Sequence, residues 1–152
     1  DQNLAWLMER HRDRVHPVLA DVRDFNGIDA VFTDAKAVFH LAAQTAVTTS
    51  LAHPPDDFET NGRGTLNVLE AVRRAGRRAG VIFASTNKVY GALDDLDMIE
   101  AGDRYLPADE DIRAVGIDED RPLAICTPYG CSKGVADQYY LDYAHSFVIP
   151  TT

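Results

Sequence analysis

Two apolar runs constrain this chain more than anything else in it: Ala37-Val38-Phe39-His40-Leu41-Ala42-Ala43 and Val81-Ile82-Phe83-Ala84-Ser85. Both have the length of a strand, and neither alternates apolar with polar residues. That continuity predicts strands buried on both faces. The stretch between them is helical in pattern. Pro54-Pro55-Asp56-Asp57 marks a helix start, and from Phe58 to Ala75 the residues Leu66, Leu69 and Val72 fall on one face. Gly76 and the cluster Arg73, Arg74, Arg77 and Arg78 suit the end of that helix, where cations meet the negative end of its dipole. A strand, a crossover helix and a second strand predict a parallel sheet.

The flanks extend the alternation. Leu4, Leu7, Met8 and the run Glu9 to Arg14 predict a short amphipathic helix. Val15 to Ala20 reads as a short strand ending at Asp21, and Asp24 to Asp34 places Phe25, Ile28, Val31 and Phe32 at helical spacing. Ala92 to Thr127 is acidic and punctuated by Pro and Gly; it reads as a loop with room for one short helix. Tyr129 to Phe147 is helical again, with Val135, Tyr139, Leu141 and Tyr143 as packing residues, and Phe147 to Thr152 opens a further strand. In parallel sheets ligands bind beyond the carboxyl ends of the strands. Polar residues gather at those ends: Asp21, then Gln44 and Thr45, then Ser85 and Thr86.

Composition removes several function classes. A chain of 152 residues can form one domain with a real core. Its formal net charge is -9, with much of the acid between Asp94 and Asp120, which argues against a nucleic-acid or anionic-membrane surface. Cys126 and Cys131 are the only cysteines and are not spaced C-x-x-C, so neither a zinc site nor a disulfide is expected, and a reduced, cytoplasmic protein is. No apolar run reaches the length of a membrane span. His11, His16, His53 and His145 show no ligand spacing and no metal is expected, while His40 inside its apolar strand reads as a core histidine. The chain opens without Met or a secretion signal and stops as a strand begins, so it reads as cut from a longer one.

One motif carries chemistry. Thr127-Pro128-Tyr129-Gly130-Cys131-Ser132-Lys133 sets Tyr129 and Lys133 on one face of a helix start. An ammonium beside a phenol favours the phenolate. Such a tyrosine can take a proton from a sugar or alcohol hydroxyl while hydride leaves the same carbon. Alone, the pair is better explained by a packing tyrosine and a solvated lysine. Its company is Phe39-His40-Leu41-Ala42-Ala43-Gln44, Asn61-Gly62-Arg63-Gly64-Thr65 and Phe83-Ala84-Ser85-Thr86-Asn87-Lys88-Val89-Tyr90-Gly91.

Taken together, these residues resemble the extended short-chain dehydrogenase/reductase family, the NAD-dependent nucleotide-sugar epimerases and dehydratases, over nearly the whole chain. Ser85 to Gly91, Thr127 to Gly134 and Ala136-Asp137-Gln138-Tyr139 most resemble its CDP-paratose 2-epimerase subgroup. The resemblance implies an α/β fold: a Rossmann-like doubly wound parallel sheet, present in part. The first strand with its glycine-rich phosphate loop and the C-terminal substrate region are missing, so residues 1–152 would be the central part of the NAD-binding domain. Without that loop the chain alone is expected to bind NAD poorly.

The resemblance also implies roles. Tyr129 would be the acid/base, with Lys133 tuning it and holding the nicotinamide ribose. The Thr86 hydroxyl would steady the reacting sugar oxygen, with Asn87 beside the substrate and Ser85 on the cofactor side. Asp21 would accept from the adenine amino group, with the Val22 backbone alongside; Leu41, Ala42 and Ala43 would wall the cofactor, and Asn61 would hold the loop near the nicotinamide. Each has a structural alternative: Asp21 as a cap for the following helix, Thr86 as a cap for its loop. Thr48, Thr49 and Ser50 suit either substrate contact or a helix-start cap. The implied cofactor is NAD and the implied partner a nucleotide-sugar, a CDP-sugar in the subgroup, epimerised by transient oxidation and re-reduction of one carbon. A homodimer through the helices 58–75 and 129–147 is implied for the full-length protein. Asn87-Lys88 stands where dehydratases carry an acidic pair, which favours an epimerase over a dehydratase. Another nucleotide-sugar 4-epimerase or dehydratase of the same family and a truncated, non-catalytic product are the alternatives.

Overall fold

The computed structural model describes residues 2–76 and 79–152. Arg77 and Arg78 of the basic cluster lie outside the described residues. In chain order the helices and strands are α1 (Gln2–His11), α2 (Phe25–Asp29), β1 (Ala37–His40), α3 (Val47–Ala52), α4 (Pro54–Asp57), α5 (Gly64–Arg74), β2 (Gly80–Phe83), β3 (Met98–Ala101), β4 (Arg104–Pro107), α6 (Glu110–Val115) and α7 (Pro128–Ser146). Short 3-10 turns follow α1 and α2 and span Asn87–Tyr90, and a π-helical turn over Phe58–Arg63 joins α4 to α5.

β1 and β2 pair in parallel, Val38 opposite Val81 and His40 opposite Phe83. A third parallel segment begins on the other edge of β2. There the Val81 and Phe83 N–H groups donate to the Pro150 and Thr152 carbonyls at 2.8 Å, and Thr152 N–H donates to the Val81 carbonyl at 3.0 Å. The helical crossover between parallel strands and the closing strand are therefore both as the apolar pattern predicts.

One face of this sheet packs on α5 and α7. Leu69 and Val72 of α5, Val81 of β2, Tyr140 and Tyr143 of α7, and Ile149 form the core, with Ala79 among them. Leu69, Val72 and Val81 are fully buried, and each such side chain contributes about 1.5–3 kcal/mol by leaving water. The Tyr140 ring stacks on Phe83 at a centroid distance of 4.5 Å. At the far end of α7, the Tyr143 hydroxyl donates to Glu70 Oε1 at 2.6 Å, joining the two helices.

Four expectations change. Residues 15–20 form no strand: among the described residues nothing pairs with them, and Val18 and Leu19 are exposed. A strand needs a hydrogen-bonded neighbour, whatever its side-chain preference. The run 37–43 is a strand only to His40, and its sheet is covered on one face. Phe39 and Ile82, opposite each other in register, both point to the open face and are exposed. Of the packing residues expected on α7 only Tyr143 is buried, with Ala136 and Tyr140 beside it, while Tyr139 and Leu141 are exposed and Val135 is half-buried. The helix buries Ser132 and Lys133 as well, so its apolar spacing misreports its inner face.

The fourth change is in the acidic segment. It holds a hairpin, β3 paired antiparallel with β4 from Met98–Pro107 to Ala101–Arg104, ahead of the short helix α6. Gly102-Asp103 is the two-residue turn, with Gly102 at φ +69°, the geometry that matches the twist of a hairpin. Asp109 caps α6, its carboxylate accepting from the Asp111 and Ile112 N–H groups at 2.9 Å.

Two glycines separate backbone strain from steric exclusion. Gly91 has φ +73° and ψ -147°, and a Cβ there would lie 2.0 Å from the Ala124 carbonyl oxygen. Gly102 has a similar φ but open space around it. Gly91→Ala is expected to cost more than about 3 kcal/mol and Gly102→Ala about 1–2 kcal/mol, read from urea unfolding midpoints.

Candidate active site

The first turn of α7 begins at Thr127, whose hydroxyl accepts from Gly130 N–H at 3.0 Å, with Pro128 at the first helical position. A Cβ on Gly130 would lie 2.8 Å from the Lys88 carbonyl oxygen, so the glycine lets this turn press against the 87–90 turn that follows Thr86. Tyr129 is buried, and its N–H donates to Ser50 Oγ at 3.2 Å. Lys133 is 4% exposed, which removes the solvated-lysine alternative. Its ammonium donates to the Ala84 carbonyl just past β2 and lies 3.9 Å from the centroid of the Phe83 ring. Burial pulls Lys133 down to about 8, with Asp137 opposing. The ammonium has three N–H donors, and its protein hydrogen bond uses one.

Beneath α7 lies a buried polar network. Asn61 Oδ1 accepts from Gln44 N–H at 2.9 Å, and its Nδ2 donates to the Gln44 carbonyl at 3.0 Å and to Ser132 Oγ at 2.9 Å. Both Asn61 amide hydrogens and its oxygen thus have protein partners. Asp57, 1% exposed, accepts from Gln44 Nε2 and lies 3.2 Å from Ser132 Oγ. Ser132 Oγ also lies 2.9 Å from the Tyr129 carbonyl, and its single proton serves one of these two acceptors at a time. The rest of the Asn61-x-x-Gly64-Thr65 motif has equal physical content. A Cβ on Gly64 would lie 2.8 Å from Val22 Cγ2, and the Thr65 hydroxyl is 3.1 Å from His40 Nε2. His40 is a core histidine, as its strand position predicts. Burial first, then the nearby Lys133 ammonium, hold it down to about 4.

The strand-end residues are more open. Thr86 is half-buried and its hydroxyl oxygen accepts from Lys88 N–H at 3.3 Å, capping the 87–90 turn. Ser85, Thr86 and Asn87 line a cleft of about 980 Å³ that Asp137, Tyr140 and Thr151 also line; Tyr129 and Lys133 do not line it. Leu41 and Ala42 are exposed and Ala43 is half-buried. Asp21 is exposed, and its carboxylate accepts from Arg23 Nε at 3.0 Å and Nη2 at 2.6 Å, which lowers it to about 2. Asp21 does not cap α2; Asp24 does, accepting from Asn26 N–H at 3.2 Å. Asn67 Nδ2 donates to the Val22 and Arg23 carbonyls at 2.9 and 3.1 Å, tying this segment to α5.

Residues 4–152 match the model of the NAD dependent epimerase/dehydratase family. The chain belongs to that family. It is 44% identical to the CDP-paratose 2-epimerase of Salmonella typhi over 98% of this chain and 43% of that protein. Among solved structures it is similar to the UDP-glucose 4-epimerase of Thermus thermophilus in complex with NAD, at 31% identity and a TM-score of 0.67, covering 87% of this chain and 37% of the other. It is also similar to a dTDP-glucose 4,6-dehydratase double mutant from Streptomyces venezuelae with NAD and DAU bound. There the TM-score is 0.76 at 27% identity, over 99% of this chain and 40% of that one. The fold is thus Rossmann-like. The chain spans less than half the length of the curated relatives it matches.

Within this family member the sequence reading missed Asp57 and Ser132. Asp57 was hidden in Pro54-Pro55-Asp56-Asp57, read as a helix start, and Ser132 in the motif beside Lys133. The usable signal is that Asp57 and Asn61 stand one helical turn apart, so they share a face. The fold has a pH signature through His40, which lies under Lys133. The folded state keeps His40 neutral down to about 4, whereas the unfolded chain protonates near 6.5. The unfolded state therefore binds the extra proton first, and stability falls as pH drops from 6.5 toward 4, by up to about 3 kcal/mol. His40→Gln, which cannot titrate, is expected to flatten that part of the stability–pH curve in urea unfolding. Glu70, held down to about 2 chiefly by Arg73, acts mainly below pH 4.5.

Proposed function

We propose that residues 1–152 form the central part of the NAD-binding domain of a nucleotide-sugar epimerase, and that its substrate is a CDP-linked dideoxy sugar inverted at C2. The observation that carries this reading is the 44% identity to a CDP-paratose 2-epimerase over 98% of the chain. Asn87-Lys88, both exposed, offer no acidic pair beside Thr86, which favours an epimerase over a dehydratase. We place the protein in the cytoplasm; no helix among the described residues is long and apolar enough to cross a membrane. A homodimer through α5 and α7 is consistent with the exposed Tyr139 and Leu141 on α7.

The residues present fit NAD in part. Lys133 has N–H donors beyond the one given to Ala84, and the hydroxyls of a ribose are suitable acceptors. Leu41, Ala42 and Ala43 would form the wall beside the cofactor, with Ser85 at its nicotinamide side. Asp21 and the Val22 backbone would meet the adenine. Asn61 would hold the Gln44 loop against it. Bound there, NAD would supply the hydride acceptor and donor for the reacting sugar carbon. Tyr129 takes the hydroxyl proton and later gives it back. Thr86 donates its hydroxyl hydrogen to the same sugar oxygen, its own oxygen being engaged by Lys88 N–H. Asn87 lies beside the sugar. Inversion needs the oxidised sugar to present its other face between the two proton transfers.

The sequence contains no glycine-rich phosphate loop, so the pyrophosphate lacks its amide anchor in this chain. Calorimetric titration of the 152-residue chain with NAD is expected to give a dissociation constant weaker than about 1 mM; micromolar binding would overturn the assigned need for that loop. In the complete protein, Tyr129→Phe is expected to lower the rate of CDP-sugar epimerisation by about 10²–10⁴-fold. Parent-like turnover in that variant would sink the acid/base role.

A further inference from the structure

The first turn of a helix leaves backbone donors that the helix itself cannot satisfy. In α7 each can be followed to its partner. Pro128 has no N–H. Gly130 N–H goes to the Thr127 hydroxyl at 3.0 Å and Cys131 N–H to the Thr127 carbonyl at 2.8 Å. The donor left over belongs to Tyr129, and it is met from another element: Ser50 Oγ on α3, at 3.2 Å.

Ser50 is built for this contact. It is 0% exposed, so no water competes for its oxygen. Its single hydrogen goes to the Val47 carbonyl at 2.7 Å, one turn back in α3, which leaves its lone pairs for Tyr129. On the other side of the same residue, Ser132 Oγ lies 2.9 Å from the Tyr129 carbonyl. Gly130 then seats the turn against the Lys88 carbonyl, within the turn that Thr86 caps. The Tyr129 N–H is therefore held by Ser50, its C=O shares the Ser132 proton with Asp57, and its neighbour Gly130 is pressed against the turn that Thr86 caps.

We infer that Ser50 is a positioning residue for Tyr129: its hydroxyl oxygen fixes the backbone from which the phenol projects and so fixes the phenol relative to Thr86. This rests on Tyr129 being the acid/base of the proposed reaction. Thr48 and Thr49, its neighbours in sequence, are exposed and take no part in the contact. Ser50 caps a helix, as one sequence reading allowed, but the helix is α7, 79 residues away in sequence, not its own.

Two experiments test it. In the complete, NAD-loaded protein, Ser50→Ala is expected to lower kcat for the CDP-sugar about 10- to 100-fold, because small misplacements of a reacting group cost rates of that order. KM and bound NAD should change less than about two-fold, and Ser50→Thr, which keeps a hydroxyl, should recover most of the loss. A parent-like kcat per NAD-loaded Ser50→Ala molecule would overturn the inference. Independently of turnover, tyrosines labelled at Cζ can be observed by NMR in the 152-residue chain, with the Tyr129 line identified by its loss in Tyr129→Phe. Ser50→Ala is expected to broaden or double that line and leave the other five tyrosine lines in place. An unchanged Tyr129 line would overturn the inference. If the parent protein turns over no CDP-sugar, the proposed function fails while the NMR result still judges the Ser50–Tyr129 coupling.

Discussion

The site depends on one side-chain amide. Asn61 pairs with both the N–H and the C=O of Gln44, as a neighbouring strand would, at the point where the chain has already left the sheet. Backbone groups that leave a ladder need replacement partners, and Asn61 supplies them. Its remaining hydrogen goes to Ser132, so the same amide also holds α7. Three segments distant in sequence meet on one residue: the exit from β1, the π-helical turn that carries Asn61, and the helix that carries Tyr129 and Lys133. Each neutral bond contributes about 1 kcal/mol net, but leaving buried partners unmatched costs more. The network therefore acts as a unit, and its members are poor candidates for independent substitution.

That network explains why α7 buries polar residues where an ordinary core helix would bury leucines. Ser132 faces inward because Asp57 and Asn61 wait for it. Lys133 faces inward because the carboxyl end of β2 offers a carbonyl and an aromatic face. An ammonium in that position is held against its own desolvation, as its lowered pKa of about 8 records. Groups kept at such a cost, with donors to spare, mark sites built for a ligand more often than for stability. His40 stays neutral beneath it for the same reasons of burial and nearby positive charge.

Much of this was legible in the residues. Continuous apolar runs at 37–43 and 81–85 reported the parallel strands, and Phe58 to Ala75 reported the crossover helix. The Asn61, Gly64 and Thr65 pattern and the Tyr129 to Lys133 spacing, taken with the family resemblance, singled out the candidate site. The hairpin at Met98–Pro107 was missed although Gly102-Asp103 signalled it, because acidic residues on both sides masked the short strands. The strand at Val15 to Ala20 was overread: side-chain preference cannot supply a pairing partner. Burial on both faces was overread in the same way, since Phe39 and Ile82 carry apolar side chains onto a face that no described element covers.

What the residues settle unaided is the local alphabet of the central segment: the extended runs that open at Ala37 and Val81, the helix that follows Pro54-Pro55, and which residue types stand at the ends of those strands. These follow from backbone sterics, capping and periodicity, all of which act over a few residues. The folded arrangement settles what those residues touch. Ser50 meets Tyr129 across 79 positions, and Asp57 and Asn61 meet Ser132 across 75 and 71. Lys133 turns to Ala84 across 49. No spacing rule reaches that far, because such contacts depend on how α3, the π-helical turn and α7 pack at the end of the sheet, and only the folded chain sets that arrangement.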